Sequence, residues 1–258
     1  MGFETSNMQT VFTWVIKTSK LCNLRCKYCY EFSELNDPSK MSISNLSILF
    51  NKAEEVAQIF DTDSHFVWHG GEPLLLSDSF YENIISSQKK IFQRKILNSV
   101  QTNLTLNPTS RTKTLRKLKI GVSFDPIGDL RVTKNGESSA QSVLNNMAIL
   151  RQLEIKFACI TVLNQINFNY QEKVFNFFNK LNIDYRLLPY YRQDNVFQYE
   201  TYSIKLSETA QILKVLFDIW LSKGNGISVQ PLYDYLNISL RYLGCVDIYR
   251  NQIITDAN

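Results

Sequence analysis

Short apolar runs of β-like character alternate along this chain with longer stretches in which apolar residues recur at helical spacing, and this alternation predicts the elements in order. The first strand is expected over residues 10–17. Residues 41–60 carry a helical pattern through Ile43, Leu46, Leu49, Phe50, Ala53 and Val56, with Ser42 or Ser44 placed to cap its start. A β-like run at 65–69 ends in Gly70-Gly71-Glu72-Pro73, and 77–95 reads as the next helix. Strand and helix then follow at 96–102 and 110–118, at 119–124 and 138–153, and at 156–163 and 170–181. A sixth strand at 183–188 is stopped by Pro189. Beyond it, helices at 203–220 and 232–243 flank a break at Lys223-Gly-Asn-Gly226.

Strand-then-helix units of this length build an α/β fold: a parallel sheet with helices outside it, joined by right-handed crossovers. Six units fall short of the eight that close a full barrel. The pattern alone therefore leaves an open doubly wound sheet or a partial barrel. No internal repeat or low-complexity linker interrupts the 258 residues, a length that suits one such domain. Residues 1–200 are expected to form its core and 201–258 a helical extension.

Composition narrows the setting. Hydrophobic residues at 44% and charged residues at 20% describe a chain able to bury a core, not a disordered one. The net charge of +4 is small, and its densest basic cluster (Arg111, Lys113, Arg116, Lys117, Lys119) reads as a solvated helix face. No nucleic-acid partner is expected from it. There is no run of about 18 uncharged apolar residues and no basic segment leading into an apolar one at the start, so neither a membrane span nor a signal peptide is expected. Five cysteines, three of them crowded together, form a poor disulfide framework and a reasonable metal site, which points to a reducing, cytoplasmic setting.

The crowded cysteines are Cys22, Cys26 and Cys29, in a CxxxCxxC spacing just after the first strand, with no fourth cysteine until Cys159. Thiolates suit zinc and iron–sulfur clusters, and the usual four-cysteine cluster leaves no iron without a protein ligand. Three thiolates alone point to a cubane with one iron open to a substrate or cofactor. Three cysteines with His65 or His69 as fourth ligand would instead make a structural zinc site.

The triplet, with Tyr28 as its aromatic, resembles the cluster loop of the radical S-adenosylmethionine (radical SAM) enzymes. A second element, His69-Gly-Gly-Glu-Pro73, is similar to their GGE-P turn. The resemblance implies a partial (β/α)6 barrel and a 4Fe–4S cluster on Cys22, Cys26 and Cys29. It also implies that the open iron holds the amino and carboxylate groups of S-adenosylmethionine, whose reductive cleavage gives a 5′-deoxyadenosyl radical. A flavodoxin- or ferredoxin-type donor would supply the electron. Gly70, Gly71 and Glu72 would meet the methionine amino group, and Tyr28 would lie beside adenine.

Three further segments carry the resemblance, and each falls at the end of a predicted strand, where chemistry gathers in such folds. Gln101-Thr-Asn103 resembles the QTNG element of the branch linked to SPASM domains, which includes peptide maturases and anaerobic sulfatase-maturing enzymes; Leu104 stands where glycine is usual. Leucine resists positive φ, so the glycine conformation is not expected there. Asn103 would hydrogen-bond cofactor or substrate. Val122-Ser-Phe-Asp125, with Arg131 and Gly136 after it, is similar to the family's SxDG segment, although Pro126 replaces the glycine. By position Ser123 and Arg131 would meet the methionine carboxylate or ribose hydroxyls, and Asp125 would face the substrate as the catalytic candidate. A surface ion pair between Arg131 and Asp129 is the plainer alternative. Val162 and Leu163 are core residues by pattern that the resemblance also sets against adenine.

Cys245 and the segment Ile253-Ile-Thr-Asp-Ala-Asn258 resemble the start of a SPASM or twitch segment, and the chain stops where its next glycine would come. A truncated chain and a lineage without the auxiliary domain both fit. The resemblance makes a ribosomally made precursor peptide the expected substrate, crosslinked after hydrogen abstraction from a side chain. Oxidation of a sulfatase cysteine or serine to formylglycine is the alternative. A cluster-binding protein without catalysis is the reading of a different class. No leader-binding domain precedes the first strand, so a leader is expected to bind the barrel, a region beyond it or another protein.

Overall fold

The computed structural model describes residues 11–191, 199–223 and 226–243. Cys245 and the SPASM-like stretch at 253–258 lie outside them. The chain forms two compact units, one of residues 1–123 and 129–157 and the other of 124–128 and 158–258.

The first unit opens with β1 (Val11–Ser19), α1 (Ile43–Phe60), β2 (Asp63–Gly70), α2 (Asp78–Ile91) and β3 (Ile96–Thr102). It closes with α3 (Thr112–Leu115), β4 (Lys119–Ser123) and α4 (Ala140–Gln152). Its four strands lie in chain order and pair in parallel, β1 with β2, β2 with β3 and β3 with β4. Caps set the helix starts: the Ser42 hydroxyl accepts from the Asn45 N–H, and the Ser77 hydroxyl from Phe80 N–H. The α1 helix ends where Asp61 turns to φ 53°.

Leu46, Phe50, Ala53 and Ala57 repeat at steps of three and four, which places them in one stripe of α1, and all are buried. The Phe50 ring meets Phe66 of β2 at 5.3 Å and Trp68 at 6.3 Å, both edge-on. Trp68 is fully buried and still satisfies its indole N–H, which donates to Asn98 Oδ1 at 3.0 Å. Because Phe66 and Trp68 face the helices, His65, Val67 and His69 must face the other way. That second face is the half-buried one.

The second unit holds β5 (Phe157–Leu163), α5 (Gln171–Leu181), β6 (Tyr185–Pro189), α6 (Tyr199–Tyr202), α7 (Leu206–Lys223), β7 (Val229–Gln230) and α8 (Leu232–Tyr242). β5 pairs with β6 and β6 with β7, again parallel. Phe178 of α5 stacks on Tyr185 at 4.4 Å. The Tyr185 hydroxyl is buried without a hydrogen-bond partner, and burial holds its phenol far above the ordinary pKa. An unpaired buried hydroxyl costs about 1–3 kcal/mol. Tyr185→Phe keeps the ring and removes that cost, so it is expected to raise the melting temperature by a few degrees in a thermal melt.

Two expectations fail for physical reasons. The helix foreseen at 110–118 is a 3-10 turn, Pro108–Arg111, leading into four residues of α3, and the basic cluster is not one solvated face. Arg111 turns inward, with its guanidinium donating to the carbonyls of Leu74 and Leu76 and pairing with Asp78 at 2.8 Å. The seventh strand, β7, was not foreseen, because two residues are too short to show a period.

Candidate active site

The cysteine loop follows β1 and is held along both of its sides. Cys22 N–H donates to Leu35 O at 3.1 Å, while Arg25 N–H and Lys27 N–H donate to Val132 O at 2.7 Å and Leu130 O at 2.8 Å. Leu24 forms an antiparallel bridge with Thr133. Zipped this way, the loop brings its aromatic residue to the segment that carries Arg131: the Arg131 guanidinium lies over the Tyr28 ring, 5.5 Å from its centre. Asp129, the rival partner for Arg131, accepts from the Ser138 hydroxyl at 2.8 Å.

Cys22 is buried with Leu24 and Leu35, and half-buried Cys26 and Cys29 pack against them. None of the three is in a disulfide. Burial pushes the Cys22 thiol up to about 11 and raises Cys29 as well. Both are therefore protonated at neutral pH when no metal is bound, and metal loading has to release those protons.

The paired glycines serve the chain's own packing. Gly71 N–H donates to Ser19 O and Glu72 N–H to Leu21 O, each at 2.8 Å, which joins the end of β2 to the start of the cysteine loop. A Cβ on Gly70 would sit 2.2 Å from Ser19 O, and one on Gly71 would sit 2.3 Å from both Lys20 O and Leu21 O. Both glycines thus let the turn pack closely on the backbone of the cysteine loop. His69 supports the turn, its Nδ1 accepting from Gly70 N–H at 2.8 Å.

Glu72 is tied within the protein itself. Its side chain is buried and its carboxylate is already engaged, accepting from Leu74 N–H at 2.8 Å, Thr102 Oγ1 at 2.7 Å and Asn103 N–H at 2.7 Å. It is an internal tie that fixes the end of β3 to the glycine turn. Beyond Asn103, Leu104 does take the left-handed conformation, at φ 52°, with its side chain buried and its carbonyl accepting from Asn146 Nδ2 at 2.8 Å. The glycine's backbone geometry survives the replacement.

Burial, the largest influence, raises the Glu72 pKa above its ordinary 4.5, against the opposing pull of its three donors. A carboxyl whose folded pKa is raised gives its full stabilisation below the unfolded value and loses part of it as pH rises through the folded value. Glu72→Gln sets an amide NH2 against donors, so it should destabilise the protein by about 2–4 kcal/mol. Denaturant melts across pH are expected to show the wild type's margin over the variant widest in acid and narrowing above pH ~4.5.

Ser123, at the end of β4, accepts from Gln101 Nε2 at 2.8 Å. This arrangement depends on Gly121, where a Cβ would lie 2.3 Å from Gln101 Oε1. Gln101 and Thr102, which belong to the Gln101-Thr-Asn103 motif, hydrogen-bond Ser123 and Glu72, and nothing in the sequence marks Gly121 or Asn146 beside them. Their partners are remote in sequence, 22 positions for Gln101 and 42 for Asn146.

Asp125 and Leu163 belong to the second unit. Asp125 is buried, and its Oδ1 accepts from Thr161 Oγ1 at 3.1 Å and Val162 N–H at 2.8 Å, which ties the 124–128 segment to β5. A carboxylate so engaged anchors that segment. Leu163 is fully buried, and its carbonyl accepts from Tyr190 N–H at 2.8 Å. It is core, as its pattern indicated, and presents no free surface to an adenine. Cys159 is likewise buried.

The residues present fit the group their motif implies. Among the described residues no three His, Cys, Asp or Glu side chains converge on one metal ion. Cys22, with Cys26 and Cys29 packed beside it, would supply three thiolates to a cluster held at this loop. The histidines of the zinc alternative are otherwise engaged, His65 Nε2 with Ser99 Oγ at 2.9 Å and His69 with Gly70.

The Radical SAM superfamily model matches residues 16–178. The chain belongs to the radical SAM superfamily. Radical SAM proteins use a 4Fe–4S cluster and S-adenosylmethionine. Among its relatives, a cysteine-type anaerobic sulfatase-maturating enzyme of Clostridium novyi is 26% identical over 90% of this chain and 66% of its own. A serine-type anaerobic sulfatase-maturating enzyme of Bacteroides thetaiotaomicron is 28% identical over 68% of this chain and 45% of its own. The solved structure of native anSMEcpe with bound AdoMet and Cp18Cys peptide matches with a TM-score of 0.73 at 25% identity, covering 91% of this chain and 66% of that one. Streptococcus suis SuiB bound to precursor peptide SuiA shares the fold, with a TM-score of 0.61 at 14% identity over 89% of this chain and 52% of its own. The chain spans 45–66% of the length of the sulfatase-maturating relatives just named. The radical SAM α/β fold read from sequence is thus the fold observed. No helix among the described residues is long and apolar enough to cross a membrane.

Proposed function

We propose that this radical SAM protein holds its cluster through Cys22, Cys26 and Cys29, binds S-adenosylmethionine beside it, and removes hydrogen from a side chain of a peptide substrate. The observation that carries the reading is the joining of four sequence-distant motifs in one unit. The cysteine loop, the glycine turn, the end of β3 and the Arg131 segment are linked by backbone hydrogen bonds and by the Glu72 carboxylate.

Once bound, cluster and cofactor supply reductive cleavage to methionine and a 5′-deoxyadenosyl radical, with one electron from a flavodoxin- or ferredoxin-type donor. The chain's own residues hold and orient. Tyr28 offers an aromatic face, and Arg131 a guanidinium fork suited to the methionine carboxylate. The Ser123 hydroxyl, fixed by Gln101, offers a hydrogen bond to carboxylate or ribose. Gly70 and Gly71 bring backbone to the amino group, while Glu72 orients their turn and Asn103 from behind. Residues 201–258 act as an extension to this core.

For the substrate, a side chain in a ribosomally made precursor peptide, crosslinked after hydrogen loss, remains the reading from the motifs. The sulfatase-maturating relatives favour the second reading, oxidation of a cysteine or serine to formylglycine. The test uses protein purified without oxygen, given a low-potential reductant and S-adenosylmethionine. Release of 5′-deoxyadenosine is expected. With candidate peptides, a loss of two hydrogens that joins two residues supports crosslinking, and an aldehyde at cysteine or serine supports the maturase reading. No cleavage with any reductant would leave a cluster-binding protein without catalysis.

A further inference from the structure

Asn103 is held on every side. Its backbone N–H donates to Glu72, and its side-chain Oδ1 accepts from Thr105 N–H at 3.0 Å and Thr105 Oγ1 at 2.7 Å. Because a backbone N–H can only donate, the oxygen must lie on the Thr105 side. The amide nitrogen is thereby turned the other way. Its two hydrogens have two acceptors: Asn23 Oδ1 at 2.9 Å and Cys22 Sγ at 3.8 Å. Asn23 is itself fixed, with its Nδ2 donating to Thr105 Oγ1 at 2.7 Å. The Cys22 sulfur also receives the Leu24 N–H at 3.4 Å. Both donors are buried, where water does not compete with them.

We propose that the Asn103 side-chain amide donates a hydrogen bond to the Cys22 thiolate and so raises the reduction potential of the cluster that this cysteine ligates. The inference rests on the reading of Cys22 as a cluster ligand. When one electron arrives from the external donor, no bond breaks, and the added negative charge spreads onto the thiolate sulfurs. An N–H directed at such a sulfur binds the more negative form more strongly, so it favours reduction. The Leu24 donor belongs to the backbone and stays in any variant. The Asn103 donor is open to removal.

The experiment is anaerobic spectroelectrochemistry on the loaded full chain, which reads potential per cluster whatever the loading. Asn103→Leu removes the donor at similar volume, and Asn103→Asp keeps the shape while setting an acceptor oxygen against the sulfur. Both midpoints are expected below the wild type, Asp furthest. The reduced fraction at a fixed donor potential, read from its paramagnetic signal, should fall several-fold. Unchanged midpoints in both variants overturn the proposal. Variants that load no iron also overturn it, since Asn103 would then only hold the loop. A wild type that loads no iron overturns instead the ligand reading beneath it.

Discussion

Protein made without oxygen from a gene in which Cys22, Cys26 and Cys29 are all alanine is expected to be colourless and free of iron, yet folded. Each change removes one sulfur, and two of the three sites are only half-buried. The cost in stability is therefore about 1 kcal/mol per site, small beside the complete loss of ligands. The wild type should hold close to four irons per chain, the content of one cubane. Its reconstitution should also be pH-dependent in a set direction. Cys22, raised to about 11 by burial, and Cys29, raised likewise, must lose protons to bind iron, so loading is faster and more complete in mild alkali than in mild acid. Iron and sulfide assays, with circular dichroism beside them, check both parts. Brown, iron-loaded triple-alanine protein would refute the ligand assignment, and loading that improves in acid would refute the protonation argument.

Much of this frame is legible in sequence because it depends on neighbours in sequence. Ser42 caps α1 as its place before an apolar stripe indicates, and the β3 bounds follow from the run Ile96–Thr102. The cysteine spacing and the paired glycines are equally local signals. What was not legible depends on residues that meet only in the fold. Glu72 reads as a free carboxylate because its partners Thr102 and Asn103 lie thirty positions away. The anchoring of Asp125 is hidden for the same reason, its partners being Thr161 and Val162 on another strand. Leu104 shows the two levels in conflict. A left-handed leucine costs about 1–2 kcal/mol, and burying its side chain returns about 1.5–3 kcal/mol. The tertiary term is at least as large, and Asn146 holds the carbonyl in place.

The same reasoning makes Gly71→Ala a severely damaging single-methyl change. The added carbon would lie 2.3 Å from two carbonyl oxygens, Lys20 O and Leu21 O, and 2.6 Å from Leu21 C, all of them backbone. No flexible side chain can swing away, so the turn and the cysteine loop must part by roughly 1 Å to reach an ordinary contact. That movement breaks the bonds from Gly71 N–H to Ser19 and from Glu72 N–H to Leu21, and it shifts Cys22, the very next residue. Two lost buried hydrogen bonds with the accompanying strain come to about 3–5 kcal/mol. The expected result is a clearly lower melting temperature and a severalfold loss of iron, with loss of cofactor cleavage in proportion. Gly136→Ala is the control. Its φ of 84° strains an alanine, but its Cβ would meet nothing within 4 Å. It should cost only the backbone term of about 1–2 kcal/mol and leave iron content unchanged. If Gly71→Ala loads as much iron as Gly136→Ala and melts no lower, the glycine turn is not what holds the cysteine loop in place.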